Sequence, residues 1–250
     1  MEIRTLEIAG MASVLQALRL PFSKECRSGC DVYMTANTDY ENPMLSTESR
    51  CVIDDRDMKL LSVLVKRGDE HSKALRGLIV YAEINAPLML WSELDTYRIG
   101  TERLSSESTM HTIGNGGLTI HNFDLPDVLY ETPGHESKGE CPDLFSLAKH
   151  HKETVERIND LAALYNESKK IEVLLEIKRM LPTSYMQKRI QYFSYPTLRR
   201  IWIQRHNHRL PHWHKFCEWI ETLPFFDMLI MPDKDKYYKD IDNGKTNRNG

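Results

Sequence analysis

Three apolar stripes with the spacing of an α-helix occupy the second half of this 250-residue chain. In each stripe, apolar residues recur every three or four positions and therefore share one helix face. The stripes are Val155, Ile158, Leu161 and Tyr165; Ile171, Leu174, Ile177 and Leu181; and Phe216, Trp219, Ile220 and Leu223. The pattern predicts a C-terminal half built from helices that each bury one face.

The N-terminal half begins with a different pattern. Ile3, Leu6 and Ile8 alternate as in a strand, and residues 14–18 follow as a short apolar helix. Residues 22–51 lose all periodicity and are crowded with Ser, Thr, Asn, Asp and Gly, so we expect a long irregular loop there.

Stronger signals follow that segment. Asp57 is expected to cap a helix that Gly68 ends, and residues 78–84 to form a buried strand. Pro87 suits the first turn of a helix through Leu94, because its φ is already helical and its missing N–H has no partner there.

Together these signals predict an α/β (α+β) fold, a mixed sheet with a helical C-terminal half. We expect one domain over residues 1–232 and a mobile polar tail over residues 233–250, which is rich in Asp, Lys, Asn and Gly. Residues 124–142, with three prolines and two glycines, are the alternative place for a domain boundary.

Charge and composition exclude several classes of protein. The formal net charge is -3, so no global basic field exists to attract nucleic acid or an anionic membrane. No apolar run is long enough to span a bilayer, and the N-terminus lacks the pattern of a secretory signal. The five cysteines are scattered and odd in number, which is typical of reduced thiols. We therefore expect a cytoplasmic protein, in the host cytoplasm if it is encoded by a phage.

Residues 71–101 (HSKALRGLIVYAEINAPLMLWSELDTYRIGT) resemble the central block of the flavin-dependent thymidylate synthases, the ThyX family. That block runs from a histidine through a buried strand and an Ala-Pro-started helix to an Arg-His-Arg triplet. Ala86-Pro87 matches the helix start, and Thr96-Tyr97-Arg98 stands in place of the triplet. Ser106 falls at the spacing of the family serine, and residues 108–111 (STMH) are the alternative match to its Ser-x-Arg-Tyr ending.

The resemblance continues in the second half and spans roughly residues 57–223. Leu181-Pro182 resembles the family's Leu-Pro turn, and residues 198–205 (LRRIWIQR) resemble its helix ending in arginine. The chain is also similar to phage-type ThyX-like proteins, which carry a motif like Asp95-Thr96-Tyr97.

The resemblance implies a ThyX-like fold, conversion of dUMP to dTMP with FAD, NADPH and methylenetetrahydrofolate, and assembly into a homotetramer. Arg205 would be the catalytic group, because it would stabilise negative charge that develops on the uracil ring. The nucleotide-binding candidates are Glu93, Arg98, Ser105, Ser106, Glu107, Ser108 and Arg205. The candidates for holding the flavin are His71, Thr96, Tyr97, Arg98, Ser194, His208 and Arg209.

The residue types suit these roles. An arginine fork matches two phosphate oxygens at once, and serine hydroxyls can complete a phosphate cradle. Tyr97 could stack on a pyrimidine or flavin ring, and the two glutamates could accept from a base N–H or a ribose hydroxyl. The alternative interpretation is that a Ser-rich turn caps a helix, Tyr97 packs in the core and the charged groups lie in water.

The sequence also departs from the family pattern. Only Arg98 of the triplet is retained, Ser194 stands at the family asparagine, and Pro196 stands at a nearby arginine. Such losses remove contacts of about 1 kcal/mol or more each. A non-catalytic nucleotide-binding protein is therefore one alternative function. Another is a partner-binding protein that uses its His- and Trp-bearing C-terminal helices.

A histidine cluster, formed by His206, His208, His212 and His214, raises the possibility of a metal site. Pro211 interrupts any continuous helix through it, and no Cys or carboxylate completes an obvious ligand set. We therefore predict no metal there.

Overall fold

The computed structural model describes residues 1–22, 24, 29–36, 45–114, 117–125, 144–235 and 237–238. The strands are β1 (Glu2–Ala9), β2 (Gly29–Ala36), β3 (Leu45–Val52), β4 (Ile79–Pro87), β5 (Thr101–Ser106) and β6 (Met186–Ser194). The helices are α1 (Met11–Arg19), α2 (Asp55–Lys66), α3 (Leu88–Leu94), α4 (Thr109–Gly114), α5 (Leu144–Ser168), α6 (Ile171–Met180), α7 (Tyr195–Arg205) and α8 (Pro211–Glu221). The predicted mixed α/β fold is confirmed, although the second half, which was expected to be helical, also contains the strand β6.

Two sheets form. The larger has the strand order β1-β4-β6-β5, and the smaller is an antiparallel pair of β2 and β3. Along β4 and β6 buried residues alternate with more exposed ones, as expected for strands that bury one face.

The chain divides into two compact units, each assembled from segments that are distant in sequence. The first unit comprises Met1–Arg4, Glu83–Arg98 and Arg103–Gln191. The second comprises Thr5–Ala82, Ile99–Glu102 and Tyr192–Gly250.

The first unit has a core that α4, α5 and α6 share with the segment before β6. Its buried members are Ile113, Leu118, Phe123, Val155, Ile158, Ala162, Ile177 and Tyr185. The side chain of Asn159 donates to the carbonyl of Leu118 at 2.9 Å and accepts from its N–H at 3.0 Å, which fastens a loop to α5. The α5 and α6 stripes are thus confirmed, except that Ile171, the first residue of α6, is 56% exposed.

The second unit contains α1, α2, α7 and α8. The helix predicted between Asp57 and Gly68 forms but begins earlier, at Asp55, and its N-cap is Asp54, which accepts from the N–H of Arg56 at 2.8 Å. The predicted cap was wrong because Asp57 is fully buried and pairs with Arg19, whose Nε donates to it at 2.7 Å. Gly68 follows the helix end with a φ of 104°, as predicted.

Three other local expectations were wrong. Residues 29–36 and 45–52 form the antiparallel pair β2–β3 instead of an irregular loop, whereas residues 37–44 lie outside the described part of the chain. The apolar residues of β2 alternate as in a strand, at Cys30, Val32, Met34 and Ala36, and the Ser- and Asn-rich composition of the segment obscured this pattern. Pro87 ends β4 with a ψ of 151° and precedes α3 instead of opening it. Ser105 and Ser106 lie in β5 and not in a turn.

The single domain over residues 1–232 stays a prediction. Most of the alternative boundary, residues 126–142, lies outside the described part of the chain, as do residue 236 and residues 239–250 of the predicted tail. No described helix has both the length and the apolarity to cross a bilayer.

Candidate functional site

The segment Thr96-Tyr97-Arg98 forms a turn directly after α3, in the first unit. The Thr96 hydroxyl donates to the carbonyl of Glu93 at 2.6 Å, and the N–H of Tyr97 donates to the carbonyl of Leu94 at 3.0 Å. These bonds close the C-terminal end of α3. The exposed side chain of Arg98 forms no hydrogen bond or ion pair within the described residues.

Asp95, immediately before this turn, is paired with Arg189 of β6. The Arg189 Nη1 lies 3.1 Å from each carboxylate oxygen of Asp95, and its guanidinium lies over the ring of Trp91 at 4.3 Å. Arg189 is 8% exposed whereas Asp95 is 47% exposed. Burial lowers the pKa of Arg189, while Asp95 acts in the opposite direction.

Glu107, directly after β5, is held by β6, the strand that also carries Arg189. Its N–H donates to the carbonyl of Lys188 at 2.8 Å, and its carboxylate accepts from the N–H of Lys188 at 3.0 Å. Ser108 follows, and its carbonyl accepts from Thr112 as α4 begins. The Glu107 carboxylate is therefore bound to the protein backbone.

Gln187 joins these two anchor points. Its Oε1 accepts from Arg189 Nε at 3.0 Å, and its Nε2 donates to the carbonyl of Glu107 at 2.9 Å. Its own carbonyl accepts from the indole of Trp91 at 3.0 Å. Three consecutive residues of β6, which we call the β6 anchor (residues 187–189), thus hold the end of α3 and the end of β5.

Two groups of predicted site residues are therefore attached to the β6 anchor. The Thr96–Arg98 turn follows Asp95, and Ser105, Ser106 and Ser108 flank Glu107. The three serines are exposed, and Glu93 and Tyr97 are half-buried. The exposed side chains of Arg98 and the three serines therefore lie on segments that hydrogen bonds to β6 hold in place.

The other predicted site residues lie in the second unit. Ser194 is buried, and its hydroxyl lies 3.0 Å from the hydroxyl of Thr197, which in turn donates to the carbonyl of Ile99 at 2.6 Å. The N–H of Ser194 donates to the carbonyl of Gly100 at 2.7 Å. Ser194 thus fastens residues 99–100 to the start of α7.

Arg205 ends α7 half-buried, with its guanidinium over the ring of Trp213 at 4.8 Å. The Nδ1 of His208 accepts from the N–H of Leu210 at 3.2 Å. His71 and Arg209 are exposed. The turn after α7 therefore uses its histidines for local structure.

The histidine cluster shows the same use. The Nε2 of His214 lies 2.6 Å from the carbonyl of His208, and His206 stacks on Trp202. Within the described ranges, no three His, Cys, Asp or Glu side chains converge to hold a metal ion.

Gln187, Arg189 and Trp91 belong to no motif in the sequence, and Asp95 belongs to one only as the first residue of Asp95-Thr96-Tyr97. The sequence shows only that Gln187, Arg189 and Gln191 stand at alternate positions, and the structure shows that they lie on one strand with all three side chains buried. Buried polar side chains need partners, so such alternation indicates a hydrogen-bond network.

No protein-family model matches the chain, and no curated protein matches it. Solved structures do. A crystal structure of the flavin-dependent thymidylate synthase ThyX from Helicobacter pylori, complexed with FAD and dUMP, matches with a TM-score of 0.57 and 16% sequence identity, covering 93% of this chain and 99% of that one.

A second match is the UMP/dUMP methylase PolB from Streptomyces cacaoi. Bound with 5-Br dUMP, it matches with a TM-score of 0.54 and 14% identity, covering 95% of this chain and 94% of that one. Identities this low establish a shared fold and not a shared reaction. The chain therefore has a mixed α/β fold similar to that of the ThyX thymidylate synthases.

Proposed function

We propose that this protein binds a pyrimidine nucleoside monophosphate of the dUMP or UMP class. The observation that carries the proposal is the β6 anchor, which fixes the turn with Arg98 and the serines around Glu107 within one unit. Arg98 is exposed and unpaired with any described residue, so it is available to a phosphate. The ThyX and PolB structures of similar fold hold dUMP and 5-Br dUMP, and this supports the same class of ligand here.

Thermal unfolding with and without dUMP tests this proposal. A ligand at a hundred times its dissociation constant stabilises the folded state by about 2.7 kcal/mol, so dUMP should raise the melting temperature. Arg98→Ala should reduce the increase. Arg76→Ala, which removes an exposed arginine from the second unit, should leave it unchanged. A wild-type protein whose melting temperature ignores dUMP would exclude the proposal.

A second candidate function is methylation of that nucleotide, with FAD supplying the redox chemistry and with NADPH and methylenetetrahydrofolate as co-substrates. The match to a ThyX structure complexed with FAD favours it. The residues expected to hold the flavin fit it poorly, because Thr96, Ser194 and His208 direct polar atoms to other groups of this chain. We therefore derive no step through the flavin, and Arg205 stays a predicted catalytic residue.

The absorbance spectrum of the purified protein, with and without added FAD, separates the two functions. Stoichiometric flavin absorbance would support methylation, whereas a colourless protein that binds dUMP and ignores FAD would support nucleotide binding alone. A homotetramer is also proposed from the family resemblance, and light scattering of the native protein tests it.

A further inference from the structure

Arg189 has an unusual environment for a charged side chain. It lies on the buried face of β6, and three different groups contact it: the Asp95 carboxylate, the Gln187 amide oxygen and the Trp91 ring. A charge this buried is costly unless each contact is kept. Its position is therefore fixed by the protein around it.

Asp95 is the more exposed member of the pair and continues directly into the Thr96–Arg98 turn. Its N–H donates to the carbonyl of Trp91 at 2.9 Å, so the backbone of Asp95 closes α3 while its side chain is held by β6. Both attachments lie within three residues of Arg98. The orientation of the Arg98 side chain thus depends on where Arg189 holds Asp95.

The pair also has an electrostatic consequence. An unpaired carboxylate three residues from Arg98 would repel a phosphate, and the two donor contacts from Arg189 neutralise that charge. Loss of Arg189 would both release the turn and expose a negative charge beside the phosphate.

We propose that Arg189 is a positioning residue for the nucleotide phosphate, holding Asp95 so that Arg98 faces the ligand and the Asp95 charge is neutralised. This inference rests on the proposed function, because it requires that the turn binds a nucleotide. Arg189 itself is not proposed to touch the ligand.

The test compares the dissociation constants of dUMP and of deoxyuridine, which lacks the phosphate, by calorimetry. Arg189→Gln should weaken dUMP binding about tenfold, the factor that corresponds to one charge-assisted hydrogen bond. Asp95→Asn releases the turn without exposing a carboxylate, so it should also weaken dUMP binding, but less than Arg189→Gln does. Deoxyuridine binding should stay unchanged. Arg189→Lys keeps the charge without the fork and should recover part of the lost affinity for dUMP.

Two further variants complete the design. Glu83→Gln removes another ion pair of the same unit, to Arg4 at 3.3 Å, and should leave dUMP binding unchanged. Combining Asp95→Asn with Arg98→Ala should weaken binding no further than Arg98→Ala does alone, because both act through one contact. Asp95→Asn, at a partly exposed position, keeps the test valid if Arg189→Gln fails to fold.

The possible failures are distinguishable. If the wild-type protein does not bind dUMP, both the proposed function and this inference fail. If the wild-type protein binds dUMP and Arg98→Ala weakens the binding, equal losses for nucleotide and nucleoside in the Asp95 and Arg189 variants overturn the positioning role alone. Fully additive effects of Asp95→Asn and Arg98→Ala would overturn it as well.

Discussion

The imidazole of His206 stacks on the indole of Trp202, with ring centroids 4.4 Å apart and planes within 6° of parallel. The Nδ1 of His206 lies 3.0 Å from the carbonyl of Trp202, and since a carbonyl only accepts, Nδ1 carries the proton in neutral His206. The Nε2 is buried and has no partner among the described residues. Protonation would therefore place a charged N–H at Nε2 without an acceptor.

This arrangement predicts a loss of stability at acidic pH. Burial lowers the pKa of His206 below its ordinary value of 6.5, so the unfolded chain takes up the proton first as the pH falls. The free energy of unfolding should therefore decrease as the pH falls below about 6.5. Chemical denaturation at several pH values measures this, and His206→Gln should flatten the dependence.

The matched control is His111→Gln, at an exposed position in α4. That variant should keep the pH dependence of the wild-type protein. If the free energy of unfolding falls equally steeply with pH in the wild-type protein and in His206→Gln, His206 is not the source of the pH dependence.

The ion pair between Arg19 and Asp57 joins α1 to α2 with Asp57 fully buried. Breaking a buried pair by removing one partner costs about 3 kcal/mol, since the other charge is left without compensation. Asp57→Asn should lower the free energy of unfolding by about that amount. Glu83→Gln, which breaks the far more exposed pair with Arg4, should cost less than about 1 kcal/mol. Similar losses from both variants in denaturant titrations would show that burial does not set the strength of the Asp57 pair.

Gly100 has no room for a side chain. Its φ is 77°, and a Cβ there would lie 2.3 Å from the Ser194 hydroxyl and 2.5 Å from that of Thr197. Gly100→Ala should therefore lower the free energy of unfolding by more than about 2 kcal/mol, from overpacking added to backbone strain. Gly68→Ala, with a φ of 104° and no atom within 4 Å of the new Cβ, should cost only about 1 kcal/mol. Equal costs in thermal unfolding would mean that residues 99–100 move away from α7 easily.

Cys217 should be chemically inert in the folded protein. The side chain is buried in α8, and burial raises the pKa of its thiol to about 12, so the reactive thiolate is scarce at neutral pH. Iodoacetamide should leave Cys217 unmodified in the native protein and alkylate it after denaturation, as read by mass spectrometry of the digested chain. Rapid alkylation of Cys217 in the native state would contradict its burial.

Much of the fold follows from periodicity, because a helix that buries one face must repeat its apolar residues. The α5, α6 and α8 stripes were therefore predictable. The strands β1 and β4 were also predicted, from the apolar side chains of residues 3–8 and 78–84. The β2–β3 pair was missed, because its short alternation of apolar residues in β2 stands in a segment rich in Ser, Thr, Asn and Asp.

The anchoring network was harder to predict than the residues that project from it. Arg98 and the serines stand where a family pattern places them, whereas Arg189 is recognisable only once β6 is known to lie against α3. In the same way, the helix cap was predicted at Asp57, whereas the structure has it at Asp54. Only the contact with Arg19 explains why Asp57 is buried instead.

Calorimetric titration of the wild-type protein with dUMP tests the central claim most directly. Nucleotide binding through Arg98 predicts saturable binding of dUMP that weakens as salt is added, weaker binding of deoxyuridine, and a marked loss of dUMP affinity in Arg98→Ala. The absence of binding heat for dUMP in the wild-type protein, or an affinity that Arg98→Ala leaves unchanged, would contradict it.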